Sequence, residues 1–179
     1  GFDYMQEIDA LRRWPYVLFL GVANGLPPDE LYRLLGALNV KYIISFLPLS
    51  SEDVSLLRHF PEYPSWLYRL KHTVPRVFIA SKTTGEKDPL KILHRLSSEE
   101  FNPLQEVILD QPLSIASRKN FQGQATIERY TNHKVTIRAS LNSSGVLVLA
   151  DSYYPGWRVY VDGKEEKILR ANLFFRAVP

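Results

Sequence analysis

Hydrophobic residues in the first hundred positions of this chain recur mainly at helical spacing. Leucines at positions 31, 34, 35 and 38 share one face of a helix, and the preceding Pro28, Asp29 and Glu30 favour a first helical turn. Asp88 and Pro89 precede a second stripe of this kind, which ends near position 97. The pattern therefore predicts one helix after each of these starts.

The remaining hydrophobic pattern predicts mostly short strands. Helical spacing is weaker over residues 4–13 and over a short turn at 51–58, and residues 82–87 form a polar loop in this interpretation. After about position 117, alternation with period two takes over. The strands predicted along the chain cover 40–47, 66–70, 74–80, 106–110, 125–130, 134–141, 146–150, 157–162, 167–169 and 173–178.

This change of pattern divides the chain into two parts. Residues 1–104 are predicted to form a mixed α/β segment with two or three helices. Residues 105–179 are predicted to form an antiparallel β-sandwich, because several short alternating strands separated by turn residues are typical of that architecture. The predicted fold class is therefore α+β.

The composition is that of a globular chain and excludes several kinds of function. Of 179 residues, 45% are hydrophobic and 12% aromatic, which is enough to bury a core. Lys and Arg number 22 against 19 Asp and Glu, and the charges are interspersed, so nucleic acid is not an expected partner. The chain has no cysteine, which excludes disulfides and thiolate chemistry. Its longest apolar stretches are shorter than the roughly 18–20 residues that cross a bilayer.

The sequence contains no catalytic or cofactor-binding motif. Four histidines at positions 59, 72, 94 and 133 lack metal-ligand spacing, so we predict no metal site and no cofactor. Acidic pairs occur at 29–30, 52–53, 99–100 and 165–166, and glycosidases do use two carboxylates. Adjacent side chains on a helix or strand point apart, however. We therefore do not expect this chain to be an enzyme by itself.

The most distinctive stretch is an aromatic corner at positions 151–163, which contains the sequence YYPGW. Exposed aromatic rings can stack on the faces of sugar rings while polar neighbours hydrogen-bond to the hydroxyl groups. This interpretation makes the following residues candidates for carbohydrate contact: Asp151, Tyr153, Tyr154, Arg158, Tyr160 and Asn172.

The same corner also has a purely structural interpretation. Trp157, Val159 and Val161 share one strand face by period two, so we predict that Trp157 is buried in the core and that Trp157→Ala costs about 3–5 kcal/mol. Asp162-Gly163 supplies a hairpin turn, because both central residues of a type I′ turn need positive φ. The structural residues are then Trp157 with the turn residues Pro155, Gly156, Asp162 and Gly163.

Three segments of the chain, in this order, resemble one protein family. They are LGALNVKYIIS at 35–45, PRVFIA at 75–80 and the block LVLADSYYPGWRVYVDGKEEKILRANLFFRAVP at 147–179. They resemble the C-terminal extracytoplasmic part of the YfhO-like bacterial membrane proteins, which are polytopic and related to glycosyltransferases that use lipid-linked sugars. The terminal block is the specific part of this resemblance.

The resemblance implies an extracytoplasmic region at the bacterial cell membrane, attached through flanking membrane helices. The parent protein would move a sugar from a polyprenyl-phosphate donor onto an envelope acceptor, and its catalytic residues would lie outside this chain. This region would contact an envelope saccharide or a lipid-linked sugar and position the acceptor. The alternative is a purely structural or protein-interaction β-sandwich without a ligand.

The resemblance also implies a missing final strand. In the family, a further strand follows the segment that matches 169–179, and this chain stops before it. We therefore expect an unpaired edge beside residues 173–178 or beside the neighbouring strand. Because such edges recruit other chains, we expect the chain to self-associate there or to fill the gap with its own N-terminal segment.

Overall fold

The computed structural model describes residues 16–116 and 120–179, and it confirms the α+β class. Helix α1 covers 16–25, α2 covers Pro28–Ala37 and α3 covers Pro89–Ser97. The weak helical pattern at 4–13 lies outside the described residues. No helix in the described ranges is both long and apolar enough to cross a membrane.

Both predicted helix starts are confirmed. Helix α2 begins with a proline in its first turn, followed by two acidic residues. Helix α3 is capped by Asp88, whose Oδ1 accepts hydrogen bonds from the backbone N–H of Leu90 at 2.9 Å and of Lys91 at 3.4 Å. The two helices pack together through the fully buried Leu34 and Leu93.

The strands of the described residues are short. Their bounds are β1 Tyr42–Ser45, β2 Val54–Phe60, β3 Ser65–Leu70, β4 Val77–Ala80, β5 Lys82–Gly85, β6 Glu106–Leu109, β7 Gly123–Tyr130, β8 Val135–Leu141, β9 Val146–Ser152, β10 Val159–Val161, β11 Lys164–Glu166, β12 Leu169–Ala171 and β13 Phe175–Val178. Within the described ranges these strands form four sheets. Strands β1, β3 and β2 form a three-stranded antiparallel sheet, and β7–β8 and β10–β11 form separate hairpins. The largest of the four has six strands in the order β4-β9-β13-β12-β6-β5.

The antiparallel sandwich predicted for residues 105–179 is not confirmed. The six-stranded sheet is mixed, because β5 and β6 pair in parallel. It also takes β4 and β5 from before position 104 and its other four strands from after it. The strands on both sides of the predicted 104/105 boundary thus share one sheet and one hydrophobic core, in which Phe78 packs with Val107 and Val148.

Two local predictions are wrong. Most of the predicted helical turn at 51–58 is strand β2, since Val54 pairs with Leu70 and the following residues continue along β3. The predicted polar loop at 82–87 contains β5, a polar strand that pairs with β6 at the edge of the sheet. In both cases strand pairing decides the conformation: β2 forms a hairpin with β3, and β5 pairs with β6, which follows helix α3.

The predicted unpaired edge at 173–178 is also wrong. Strand β13 pairs with β12 on one side and with β9 on the other, so it lies inside the sheet. Asn172 and Leu173 have φ values of 47° and 70°, and this tight turn folds β13 back onto β12. The edges of the sheet are β4 and β5. Self-association therefore stays a prediction without the edge on which it was based.

Candidate functional site

The carboxylate of Asp151, at the end of β9, is the centre of a polar cluster. Its Oδ2 accepts a hydrogen bond from the Tyr130 hydroxyl at 2.7 Å and forms an ion pair with Arg176. Its Oδ1 lies 3.4 Å from Nη2 of Arg76, and that nitrogen also donates to the Tyr130 hydroxyl oxygen at 3.2 Å. Both carboxylate oxygens thus have partners inside the fold, so Asp151 connects β9 with β7, with β13 and with Arg76, which directly precedes β4.

Arg176 is the buried charge of this cluster. It lies in β13, a strand whose four residues are all buried, and its guanidinium carbon is 4.2 Å from the ring centroid of Trp157. A buried guanidinium group needs a carboxylate partner because removing its charge from water costs free energy, and Asp151 supplies that partner. A charged residue in a strand buried on both faces is the sequence signal that indicates such a pair.

Trp157 lies outside the hydrophobic core, so its predicted burial in the core is wrong. Its side chain is partly buried and covers the guanidinium group of Arg176. The period-two argument does not apply to it, because β10 begins only at Val159.

We expect Trp157→Ala to lower the free energy of unfolding by about 1–2 kcal/mol, the range of a partly desolvated cation–π contact. Chemical denaturation measures this change, and Trp157→Phe is the matched control because it keeps an aromatic ring over Arg176. A loss above about 3 kcal/mol for the alanine variant would instead indicate the core position that the sequence predicted.

Asn172 is a structural residue and not an exposed sugar contact. It is fully buried, its Oδ1 accepts a hydrogen bond from the Ile108 N–H at 3.0 Å, and its own N–H donates to the Ile108 carbonyl at 2.8 Å. These bonds attach the turn between β12 and β13 to β6. The prediction of Asn172 as a carbohydrate contact is therefore corrected.

The tyrosines of the YYPGW sequence differ in exposure. Tyr153 is partly buried, with the guanidinium carbon of Arg170 5.0 Å from its ring centroid. Tyr154 is exposed, as are Pro155 and Gly156 in the turn that follows. Gly156 has a φ of 104°, a conformation that favours glycine.

The β10–β11 hairpin brings three polar or aromatic side chains together on an exposed face. Its turn is formed by Asp162 and Gly163, whose φ values of 49° and 84° are both positive, as the sequence predicted. Tyr160 pairs directly with Glu165 across the hairpin. Arg158 donates from Nε to Glu165 Oε1 at 2.7 Å and from Nη2 to Oε2 at 3.1 Å. We call Arg158, Tyr160 and Glu165 the hairpin face.

Charge on the hairpin face is balanced and accessible. The hydrogen bonds and the charge of Glu165 raise the pKa of Arg158 above its ordinary value. Tyr160 is 56% exposed, and its ring lies beside this ion pair. An aromatic ring beside a bidentate ion pair can stack on a sugar ring, while the charged groups hydrogen-bond to the hydroxyl groups of the sugar.

A polar cleft of about 920 Å³ forms a second surface, which the sequence interpretation did not predict. It lies between β4 and the β7–β8 hairpin, and its lining includes the amide side chains of Gln105, Gln122 and Gln124. Phe121 is the aromatic residue among its described lining, and its ring packs toward Gly123. The cleft therefore offers hydrogen bonds but little exposed aromatic surface.

No family model, curated protein or solved structure matches this chain. The resemblance to the YfhO-like proteins therefore depends on its three sequence segments alone. In the fold, residues 75–80 include β4, and residues 147–179 run from β9 to β13. Strands β4 and β9 pair with each other, so two of the three segments are neighbours in the six-stranded sheet.

Within 16–116 and 120–179, no three His, Asp or Glu side chains lie close enough together to hold a metal ion.

Proposed function

We propose that this chain is an extracytoplasmic region of a YfhO-like bacterial membrane protein. In this proposal it positions the acceptor when a sugar is transferred in the cell envelope from a polyprenyl-phosphate donor. The catalytic residues would belong to the membrane part of the parent protein. The resemblance at 35–45, 75–80 and 147–179 supports this assignment.

The observation that carries the proposed saccharide contact is the hairpin face. Tyr160 offers an exposed ring, on which the C–H face of a sugar can pack. Arg158 and Glu165 beside it offer both donors and acceptors to sugar hydroxyl groups. Of the six predicted carbohydrate contacts, Arg158 and Tyr160 belong to this face. Tyr154 is the other exposed aromatic candidate.

The arrangement of carboxylates supports holding a saccharide without cleaving it. Glu165 and Glu166 are neighbours on β11, so their side chains leave opposite faces of the hairpin. Glu165 is bound by Arg158, and Asp151 by Arg176. A glycosidase instead needs two carboxyl groups that face one glycosidic bond. We therefore expect no release of sugar from chromogenic glycosides.

We expect Tyr160→Ala to weaken saccharide binding about tenfold, the equivalent of one aromatic stacking contact. The measurement is calorimetric titration of the 179-residue chain with soluble oligosaccharides of glucose, galactose and N-acetylglucosamine. Tyr16→Ala is the matched control, because Tyr16 is similarly exposed, at 58% against 56%, and lies on helix α1. Equal affinities for the two variants, or no binding of any oligosaccharide by the unaltered chain, would contradict the proposed contact.

The alternative function is a purely structural or protein-interaction role without a ligand. It is supported by the engagement of three predicted sugar contacts inside the fold: Asp151 with Arg176, Tyr153 with Arg170, and Asn172 with the backbone of β6. This alternative predicts that none of the oligosaccharides binds.

A further inference from the structure

We propose that the outer face of the three-stranded sheet binds an anionic lipid bilayer surface. Side chains of residues that pair directly across two strands point to the same face of a sheet. The register of β1, β2 and β3 therefore assigns their residues to two sides of the three-stranded sheet. The inner side carries Val54, Tyr68 and Leu70, which are buried against Tyr32 of helix α2. The other side faces away from this core.

The outer side is apolar and largely exposed. Ile44 pairs with Leu67, and Tyr42 pairs with Arg69. Ile44 is 69% exposed, and Tyr42 is exposed as well. An aliphatic and aromatic sheet face of this kind is unusual on a protein that meets only water, and it marks an interaction surface.

One end of this sheet extends the apolar surface. Phe46 and Leu47 directly follow β1, and Tyr63 lies in the turn between β2 and β3. They are 78%, 72% and 73% exposed. Because Ser45 is opposite Trp66, the end of β1 lies beside that turn. We call Phe46, Leu47 and Tyr63 the apolar tip.

The loop that carries Phe46 and Leu47 is attached at both ends. The Ser45 hydroxyl donates to the Leu47 carbonyl at 2.7 Å and accepts from the Leu47 N–H at 3.2 Å. The Leu49 N–H donates to the hydroxyl of Tyr68 at 2.9 Å. The fold thus fixes the loop that displays these apolar side chains, which lowers the entropic cost of binding through them.

The charge of the outer side favours an anionic surface over a second copy of this chain. Arg58 and Arg69 lie on it, and neither has a carboxylate partner among the described residues. Strands β1, β2 and β3 contain no Asp or Glu, and Glu62 is in the β2–β3 turn. Two copies packed face to face would oppose arginine to arginine without compensation. Lipid phosphates instead supply the missing negative charge.

The apolar side chains and the arginines of this surface match two layers of a bilayer, the boundary of the acyl chains and the level of the phosphates. Aromatic and aliphatic side chains enter the boundary between headgroups and acyl chains, where Tyr is enriched in membrane-associated proteins. Arginines keep their guanidinium groups at the level of the phosphates while their methylene stems cover apolar surface. The outer side, which carries Arg58 and Arg69, and the apolar tip at the end of the same sheet together offer this combination.

Co-sedimentation of the 179-residue chain with lipid vesicles tests the proposal. We expect binding to phosphatidylcholine vesicles that contain phosphatidylglycerol, weakening as salt is raised. The double variant Phe46→Ser with Leu47→Ser should weaken this binding more than tenfold, since two apolar side chains no longer leave water. The double variant Arg58→Gln with Arg69→Gln should weaken it about tenfold or more. All four residues are exposed, so both variants should fold, and circular dichroism checks this.

The matched control removes the same charge elsewhere. Arg129 and Arg138 lie on the β7–β8 hairpin, so Arg129→Gln with Arg138→Gln should leave vesicle binding unchanged. No binding to the vesicles that contain phosphatidylglycerol, or equal loss in the two arginine variants, would overturn the proposal. So would concentration-dependent dimerisation that the Phe46 and Leu47 changes abolish, because the occupant would then be a second copy. The vesicles contain no saccharide, so none of these results bears on saccharide binding by the hairpin face, which is tested separately.

Discussion

Replacing Asp151 with alanine is expected to lower the free energy of unfolding by about 3–5 kcal/mol. The change removes the carboxylate partner of Arg176, whose side chain is 7% exposed, and leaves a buried guanidinium group without compensation. It also removes the acceptor of the Tyr130 hydroxyl. Equilibrium denaturation in urea, followed by circular dichroism, measures the loss.

The matched control for Asp151 is an exposed ion pair of the same type. Glu165→Ala breaks the pair with Arg158, in which both partners are exposed, and should cost less than about 1 kcal/mol. Replacing Asp151 with Leu and Arg176 with Met together should recover much of the loss, since no unpaired charge remains buried. A loss at Asp151 as small as that at Glu165 would contradict a structural role for this cluster.

Gly36→Ala should destabilise the fold by about 1–3 kcal/mol, although alanine is the better helix former. Gly36 is buried in helix α2, where a Cβ atom would lie 2.1 Å from the backbone carbonyl oxygen of His72. The Gly36 carbonyl also accepts a hydrogen bond from the Val74 N–H at 3.1 Å, so this backbone contact cannot widen freely.

The same substitution in helix α1 should have the opposite sign. A Cβ atom on Gly21 would meet nothing within 4 Å, so Gly21→Ala should raise the free energy of unfolding by about 0.5–1 kcal/mol. Thermal denaturation of the two variants beside the unaltered chain makes the comparison. Stabilisation by both substitutions would show that α2 can move away from the segment that follows β3.

Local chemistry explains which elements could be predicted from the sequence. The Asp88 cap and the Asp162-Gly163 turn depend on residues within a few positions of each other. A short stretch of sequence therefore contains all the residues needed to predict them. The sequence does not predict β2 or β5, because the conformation of each depends on pairing: β2 with β3 in a hairpin, and β5 with β6, which lies beyond helix α3. The position of β13 inside the sheet has the same origin, since β9 covers its second side.

The candidate site was predicted only in part, for a related reason. Tyr160, Arg158 and the hairpin turn lie close in sequence, and the structure brings them together on the β10–β11 hairpin. The burial of Asn172 depends on Ile108, 64 positions away, and the position of the Trp157 side chain depends on Arg176 in β13. The outer face of the three-stranded sheet depends on a register that pairs 42–45 with 66–69. Periodicity within one segment contains none of this information.

The hairpin face as a saccharide contact is tested most directly by nuclear magnetic resonance. The ¹⁵N-labelled 179-residue chain is titrated with the oligosaccharides of glucose, galactose and N-acetylglucosamine while the backbone amide signals are followed. The proposal predicts that the largest shift changes occur at Arg158, Tyr160 and Glu165 on the β10–β11 hairpin, and that Tyr160→Ala removes them. Shift changes confined to the polar cleft beside Phe121, or no changes with any oligosaccharide, would contradict it.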